Sequence, residues 1–239
     1  MSGLLLVRHG QASFLSDDYD RLSRLGERQS RLLGSYWAEQ GVLFDRVFVG
    51  PRRRHCQTHE AVAAVYKERG IPWPDPVTLT ELDEYPAEIV FKAILPKLND
   101  HDSNHSDGAP REVDSNDGRL STRRFRAMFE TAMRLWVRGE AKVAEVESWR
   151  EFRRRVDAGV AKMISAIGLG QTAVAFTSGG PVAATSAFAM GINDEGTLEL
   201  SWQIRNAAYA EFNLSGQRLR LSAFNTTSHL IDPTDLTYL

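Results

Sequence analysis

The chain is poor in the features that mark specialised classes of protein. Cys56 is its one cysteine in 239 residues, so an internal disulfide is excluded and a reducing compartment is expected. Charge of one sign is missing too, since 29 Lys and Arg against 31 Asp and Glu leave a net charge of −2. A dedicated nucleic-acid binder would carry a basic excess, so no nucleic-acid partner is expected. No apolar run nears the roughly 20 residues needed to cross a bilayer. Leu4-Leu5-Leu6-Val7 is too short for the apolar centre of a secretion leader and runs straight into Arg8-His9. These absences predict a cytoplasmic protein without a membrane partner. What is present is an ordinary globular composition, 42% hydrophobic and 25% charged. A chain of this length can bury roughly 70% of its unfolded surface.

Gly3 to Val7 reads as a strand buried on both faces. Leu25, Leu32, Leu33, Tyr36 and Trp37 then recur at helical spacing behind a candidate N-cap, Ser23, and Gly41 closes that helix. Arg46 to Val49 reads as a second strand ending at Gly50-Pro51, and Gln57 to Arg69 as the next helix. Thr172 to Thr177 returns as a buried strand, and Ser178-Gly179-Gly180-Pro181 turns it into a helix with Pro181 suited to the first position. Ala207 to Leu214 and Arg218 to Phe224 make a hairpin around Ser215-Gly216. Strands alternating with helices predict an α/β fold, a three-layer α/β/α arrangement with a mostly parallel central sheet.

Residues 1–239 read as a single domain, with 85–140 as an insertion or cap. Within it, 99–119 holds only Ala109 and Val113 as apolar residues and is predicted to be a mobile polar loop. It lies between Ile89–Leu98 and a helix carrying Phe125, Met128, Phe129, Ala132 and Trp136 on one face. Ser148-Trp149-Arg150-Glu151 has capping-box spacing and opens a further helix buried through Phe152, Val156, Val160 and Met163. Substrate choice is expected to come from this region, and an exposed Trp136 or Trp202 face is where a homodimer would form.

The chemistry gathers at predicted strand ends. Arg8-His9-Gly10, Gly50-Pro51-Arg52-Arg53-Arg54 and Ser178-Gly179-Gly180 each follow a strand, and in an open parallel sheet those ends share the edge where ligands bind. A glycine-rich helix start presents unpaired N–H groups and the positive end of a dipole, which suits an anion. Two arginines can clamp phosphate oxygens bidentately. The set points to phosphate.

Leu6-Val7-Arg8-His9-Gly10-Gln11 resembles the opening motif of the histidine phosphatase superfamily, the phosphoglycerate-mutase-like fold. Leu22-Ser23-x-x-Gly26-x-x-Gln29, Pro51-x-x-Arg54-x-x-Gln57-Thr58 and the ending around His229-Leu230 resemble later elements of the same family in order. The resemblance implies a phosphohydrolase in which His9 takes the phosphoryl group as a phosphohistidine, a role that neutral imidazole can fill near pH 7. It implies that Arg8 and Arg54 hold the phosphate, with Gln11, Ser178 and Gly179 around it, and that Arg52 and Arg53 sit at the rim. Gln11 is equally suited to capping its own loop. The general acid falls in one of two frames, Leu79-Thr80-Glu81 or Leu82-Asp83-Glu84. Glu84 is preferred because it lies just past the strand end, where Glu81 would still be in or at the end of the strand.

One departure from the family pattern stands out. The family's second catalytic histidine belongs where this chain has Ser178, and neither His55, His59, His101, His105 nor His229 is an obvious substitute. Two readings follow: a histidine acid-type phosphatase of reduced activity, or a degenerate member that binds a phosphorylated ligand or protein with little turnover. A mutase is disfavoured because no extra basic cluster marks a second phosphate site. A serine hydrolase is disfavoured because Phe176 occupies the first glycine position of G-x-S-x-G. No metal or other cofactor is expected, since His101 and His105 fall among Ser, Asn and Gly rather than in a compact ligand set. The expected partner is a small phosphorylated substrate or a phosphoprotein.

Overall fold

The computed structural model describes residues 2–13, 20–103, 117–216 and 218–238, with 99–103 and 117–122 described as backbone only. Contacts divide the chain into two compact units, Met1–Glu84 with Arg153–Leu239, and Tyr85–Phe152.

In the first unit, β1 (Ser2–Arg8) leads to α1 (Arg24–Glu39), β2 (Arg46–Val49), α2 (Arg53–Glu68) and β3 (Pro76–Thr78). The element order continues through α3 (Ala87–Ser103), α4 (Asp117–Val137) and α5 (Trp149–Ala166). It ends with β4 (Thr172–Thr177), α6 (Gly179–Met190), α7 (Asp194–Gln203), β5 (Tyr209–Ser215) and β6 (Arg218–Thr226). Among the described residues the strands form one sheet in the order β3-β2-β4-β1-β5-β6. The first four run parallel; β5 is antiparallel to β1, and β6 to β5. This is the α/β architecture with a mostly parallel sheet that the alternating pattern predicts.

Alternation along the strands decides what each face buries. Val7, Val47, Val49, Val174 and Phe176 join Leu33, Trp37, Val62 and Tyr66 of α1 and α2 in one core. Trp37 sets its edge to Phe44 at 5.1 Å and to Tyr209 at 5.3 Å, the preferred geometry for aromatic pairs. Leu4, Leu6, Ala173 and Ala175 point the other way and are fully buried, each leucine contributing roughly 1.5–3 kcal/mol. On the α1 and α2 side the termini follow the sequence signals. Ser23 caps α1 by accepting from the Gly26 N–H, and Gly41 leaves the helix at φ +67°.

Three boundaries differ from expectation. The helix expected from Gln57 starts at Arg53, because its bonding begins with His55 N–H and Cys56 N–H donating to the Arg52 carbonyl. That polar first turn lacks the apolar spacing by which a helix is read. The helix after β4 starts at Gly179, so Pro181 is its third residue rather than its first. The missing N–H still falls in the first turn, where no intrahelical acceptor awaits it. The expected polar loop at 99–119 gives way to helical backbone at both margins, α3 running to Ser103 and α4 starting at Asp117. Its centre, 104–116, lies outside the described residues.

In the second unit, Val90, Phe91 and Ile94 of α3 and Ala132, Met133 and Trp136 of α4 are buried. Trp136 corrects an expectation. It is not an exposed face but is 3% exposed, edge-on to Trp149 at 5.6 Å and tilted against Tyr85 at 5.9 Å. Ser148 and Glu151 form the expected capping box, the Glu151 N–H donating to Ser148 Oγ and the Ser148 N–H to the Glu151 carboxylate. Among the described residues, no helix is long and apolar enough to cross a membrane.

Candidate active site

The register of β1 against β4 pairs Val7 with Phe176 and Arg8 with Thr177, so both strands end side by side. Beyond that register the His9 N–H donates to the Thr177 carbonyl at 2.9 Å, and the Ala207 N–H donates to the His9 carbonyl at 3.1 Å. The histidine backbone is therefore clamped on both sides, by β4 and by the segment that leads into β5. Two glycines permit the turn that follows. A Cβ at Gly10 would come within 2.3 Å of the Gly26 carbonyl oxygen, and one at Gly26 within 2.1 Å of the Gln11 carbonyl oxygen. The loop after β1 and the first turn of α1 touch backbone to backbone, which explains why both motifs carry glycine.

His9 is 6% exposed, and its Nδ1 lies 2.7 Å from the Gly10 carbonyl. Because a carbonyl only accepts, Nδ1 carries the proton and Nε2 is left with the lone pair. Burial, then the nearby charges of Arg54 and Arg8, hold the ring's pKa well below its usual 6.5. His9 is thus a neutral imidazole at pH 7. Arg8 and Arg54 are themselves buried. Arg8 donates from Nη1 to the Ile204 carbonyl, and its side chain passes the Gly179 backbone, where a Cβ would lie 3.8 Å from Arg8 Cδ. Arg54 stands on the first turn of α2, its Nη1 donating to Asp20 Oδ1 at 2.9 Å and its Nη2 lying 3.5 Å from Ser178 Oγ. Asp20 also accepts from the Arg53 N–H at 2.8 Å. Thr58 ties the two motifs together, accepting from the Gly10 N–H at 3.1 Å and donating to the Arg54 carbonyl at 2.7 Å.

The two acid frames separate clearly. Glu84 turns to the start of α6, where its carboxylate oxygens accept from the Gly180 N–H at 3.1 and 3.2 Å. Glu81 is not in the strand; it occupies a 3-10 turn, Thr80–Leu82, and pairs with Lys162 of α5. That partner lowers its pKa and fixes it away from the α6 start.

Other residues of the motifs contact one another around the site. Gln11 Oε1 accepts from Ser23 Oγ at 2.8 Å, while the Gln11 N–H donates to Gln29 Oε1 at 2.8 Å. Gln57 accepts from the Leu22 N–H at 2.8 Å. Arg52 pairs with Asp83 at the half-exposed rim. Among the described residues, no three of His, Cys, Asp and Glu are grouped to hold a metal ion. The pair His101 and His105 lies outside what is described: 101 as a side chain, 105 altogether.

One residue was not placed at the site by its sequence context. His55 is fully buried, its ring 5.8 Å from that of His9 and its Nε2 2.7 Å from Ser178 Oγ. It sits beside Arg54 in the sequence, but only a helix starting at Arg53 brings both to the sheet edge. The available signal was Gly50. A Cβ there would come within 2.4 Å of His55 Nδ1, so the strand end is bare where the ring needs space.

A neutral histidine between two buried arginines at the edge of a parallel sheet is a constellation suited to phosphoryl chemistry. The chain belongs to the histidine phosphatase superfamily (branch 1), whose family model matches residues 4–88 and 106–227. The fold is similar to that of a phosphoserine phosphatase mutant from Entamoeba histolytica in complex with phosphoserine. That likeness has a TM-score of 0.63 at 14% identity and covers 97% of this chain and 100% of that one. A putative alpha-ribazole-5'-P phosphatase from Escherichia coli gives 0.62 at 14% identity, covering 95% of this chain and 98% of that one. A mycobacterial glucosyl-3-phosphoglycerate phosphatase gives 0.56 at 18% identity, covering 94% and 98%. At these identities the likeness concerns the fold. No curated protein matches the chain in sequence.

Proposed function

We propose that the chain hydrolyses phosphomonoesters through a phosphohistidine formed on His9. The observation that carries this reading is His9 itself, buried and neutral, with Nδ1 committed to the Gly10 carbonyl and Arg8 and Arg54 close enough to depress its pKa. The Nε2 lone pair attacks phosphorus, and the bond from phosphorus to the ester oxygen breaks. Glu84, in its acid form, delivers a proton to the leaving alkoxide. Arg8 and Arg54 balance the charge on the three transferring oxygens, where electrostatic stabilisation supplies most of the acceleration. Glu84, now a carboxylate, then takes a proton from water as the water attacks the phosphohistidine, which frees inorganic phosphate and restores His9. The Tyr85–Phe152 unit, inserted between β3 and β4 in the chain, is the segment to which we assign the choice of ester.

The test is a panel of small phosphomonoesters, assayed without added metal on wild type and His9→Ala side by side. Wild type is expected to release phosphate and His9→Ala to lose essentially all of it, because the covalent step loses its nucleophile. Turnover that survives His9→Ala overturns the mechanism. Tight binding of phosphorylated ligands with no turnover by wild type supports the degenerate binder that Ser178 suggests.

A further inference from the structure

His55 has no part in the phosphoryl transfer described above, yet its ring is fully buried and lies 5.8 Å from that of His9. Holding a histidine there is costly. Burial and the charges of Arg54 and Arg52 keep it neutral, with a pKa well below 6.5. Room for it comes from Gly50, since any Cβ at that position would come within 2.4 Å of Nδ1. The glycine and the histidine fit only as a pair.

Ser178 shows what the pair accomplishes. It is the N-cap residue of α6, where a serine hydroxyl ordinarily accepts from the N–H of the second or third helical residue. Here it makes no such bond. The Gly180 N–H goes to Glu84 instead, and the Ser178 hydroxyl turns to His55 Nε2 at 2.7 Å. In the tautomer whose Nδ1 accepts from the Arg52 N–H, 3.4 Å away, the proton of the neutral ring lies on Nε2. His55 then donates to Ser178 Oγ, and the hydroxyl's own proton can turn toward an anion held by Arg54, whose Nη2 is 3.5 Å from the same oxygen.

We propose that His55 is a positioning residue, holding the Ser178 hydroxyl as a hydrogen-bond donor to the phosphoryl group on Arg54; the inference rests on the phosphate-site reading above. A serine alone would cap the helix or rotate. A serine fixed by a buried imidazole presents its proton in one direction, and preorganised donors of this kind act where charge develops.

The experiment is titration of the full chain with orthovanadate, which needs no turnover, followed by ester hydrolysis. Ser178→Ala, His55→Ala and the double variant are compared, with His55→Gln as a milder variant in case His55→Ala folds poorly. Each single substitution is expected to weaken vanadate binding roughly 10-fold. The double variant should be no weaker than the worse single one, because both changes remove the same donor. Gly50→Ala should behave like His55→Ala by displacing the ring. Added imidazole should restore His55→Ala but not Ser178→Ala, a split that a merely structural role would not produce. Wild-type affinity in His55→Ala, or additive losses in the double variant, overturns the proposal while leaving the phosphatase reading intact. Failure of wild type both to bind vanadate and to hydrolyse any ester overturns the two together.

Discussion

At the end of β1 the reactive groups come from consecutive residues, Arg8 and His9, and their backbone is pinned by the neighbouring strands. At the end of β4 the corresponding residue is Ser178, whose hydroxyl is held by an imidazole from α2. The first strand end carries its chemistry in its own sequence, whereas the second borrows from a helix more than a hundred residues away in the chain. A strand end fixes a position, and the functional group at that position can come from either element meeting there. What decides between the two is space, and here Gly50 opens it.

Arg54 acts on both strand ends, lowering the pKa of His9 and lying 3.5 Å from Ser178 Oγ. Arg54→Ala removes the guanidinium beside Ser178 and uncovers Asp20, its partner at 2.9 Å. Loss of that charge is expected to lower kcat/KM roughly 10²–10³-fold, the range for removing one electrostatic stabiliser. Arg53→Ala, one residue earlier, is expected to change it about threefold or less, since exposed charges away from the reacting atoms contribute little. Steady-state kinetics on one ester measures both. Equal losses would mean that the basic run acts as a diffuse field and that the clamp at the strand ends is not specific.

A smaller effect separates the acid from its neighbour. Glu84→Gln keeps an acceptor for the Gly180 N–H but has no proton to give, and is expected to lower kcat roughly 10²-fold on alkyl esters. The loss should shrink on an ester with a good leaving group, which needs no protonation. Glu81→Gln removes only the pairing with Lys162 and should leave kcat unchanged. A loss in Glu81→Gln that varied with the leaving group would reverse the assignment.

Where the fold and site follow local pattern, they are legible in the sequence. β2 and β4 run Arg46–Val49 and Thr172–Thr177, as their apolar runs indicate, and Ser23 and Ser148 cap helices as their spacing indicates. What is not legible depends on contacts between distant segments. His55 follows Arg54 in a polar stretch with no apolar period, and its role needs the start of α2, the bare Gly50 and the end of β4 at once. Trp136 falls on the apolar face of its helix, but that Tyr85 and Trp149 cover it is not legible from that face alone. Glu81 and Glu84 sit in overlapping frames, and only the 3-10 turn at Thr80–Leu82 turns the former toward α5. Even the glutamines of the motifs, Gln29 and Gln57, suggest chemistry by type and act as braces by position.

The smallest expected effect concerns His229, a histidine that supports the β1 side without entering the chemistry. Its ring packs against Tyr36 at 6.4 Å and Tyr209 at 6.2 Å and is 4% exposed. Burial lowers its pKa from 6.5 to about 4. A histidine depressed in this way contributes its full stability above pH 6.5, where the folded and unfolded states both leave it neutral. As the pH falls from 6.5 toward 4, the unfolded chain binds a proton that the folded chain refuses, so stability drops. At pH 5 the loss from this residue is roughly 2 kcal/mol relative to pH 7.5. His229→Phe keeps a ring between the tyrosines and removes the titration. Urea unfolding of both proteins at the two pH values should therefore show a smaller acid loss in the variant by about that amount. An equal loss in both would place the acid sensitivity in the remaining buried histidines, His9 and His55 at the site and His59 behind it, and would tie stability at low pH to the same imidazoles that the chemistry needs neutral.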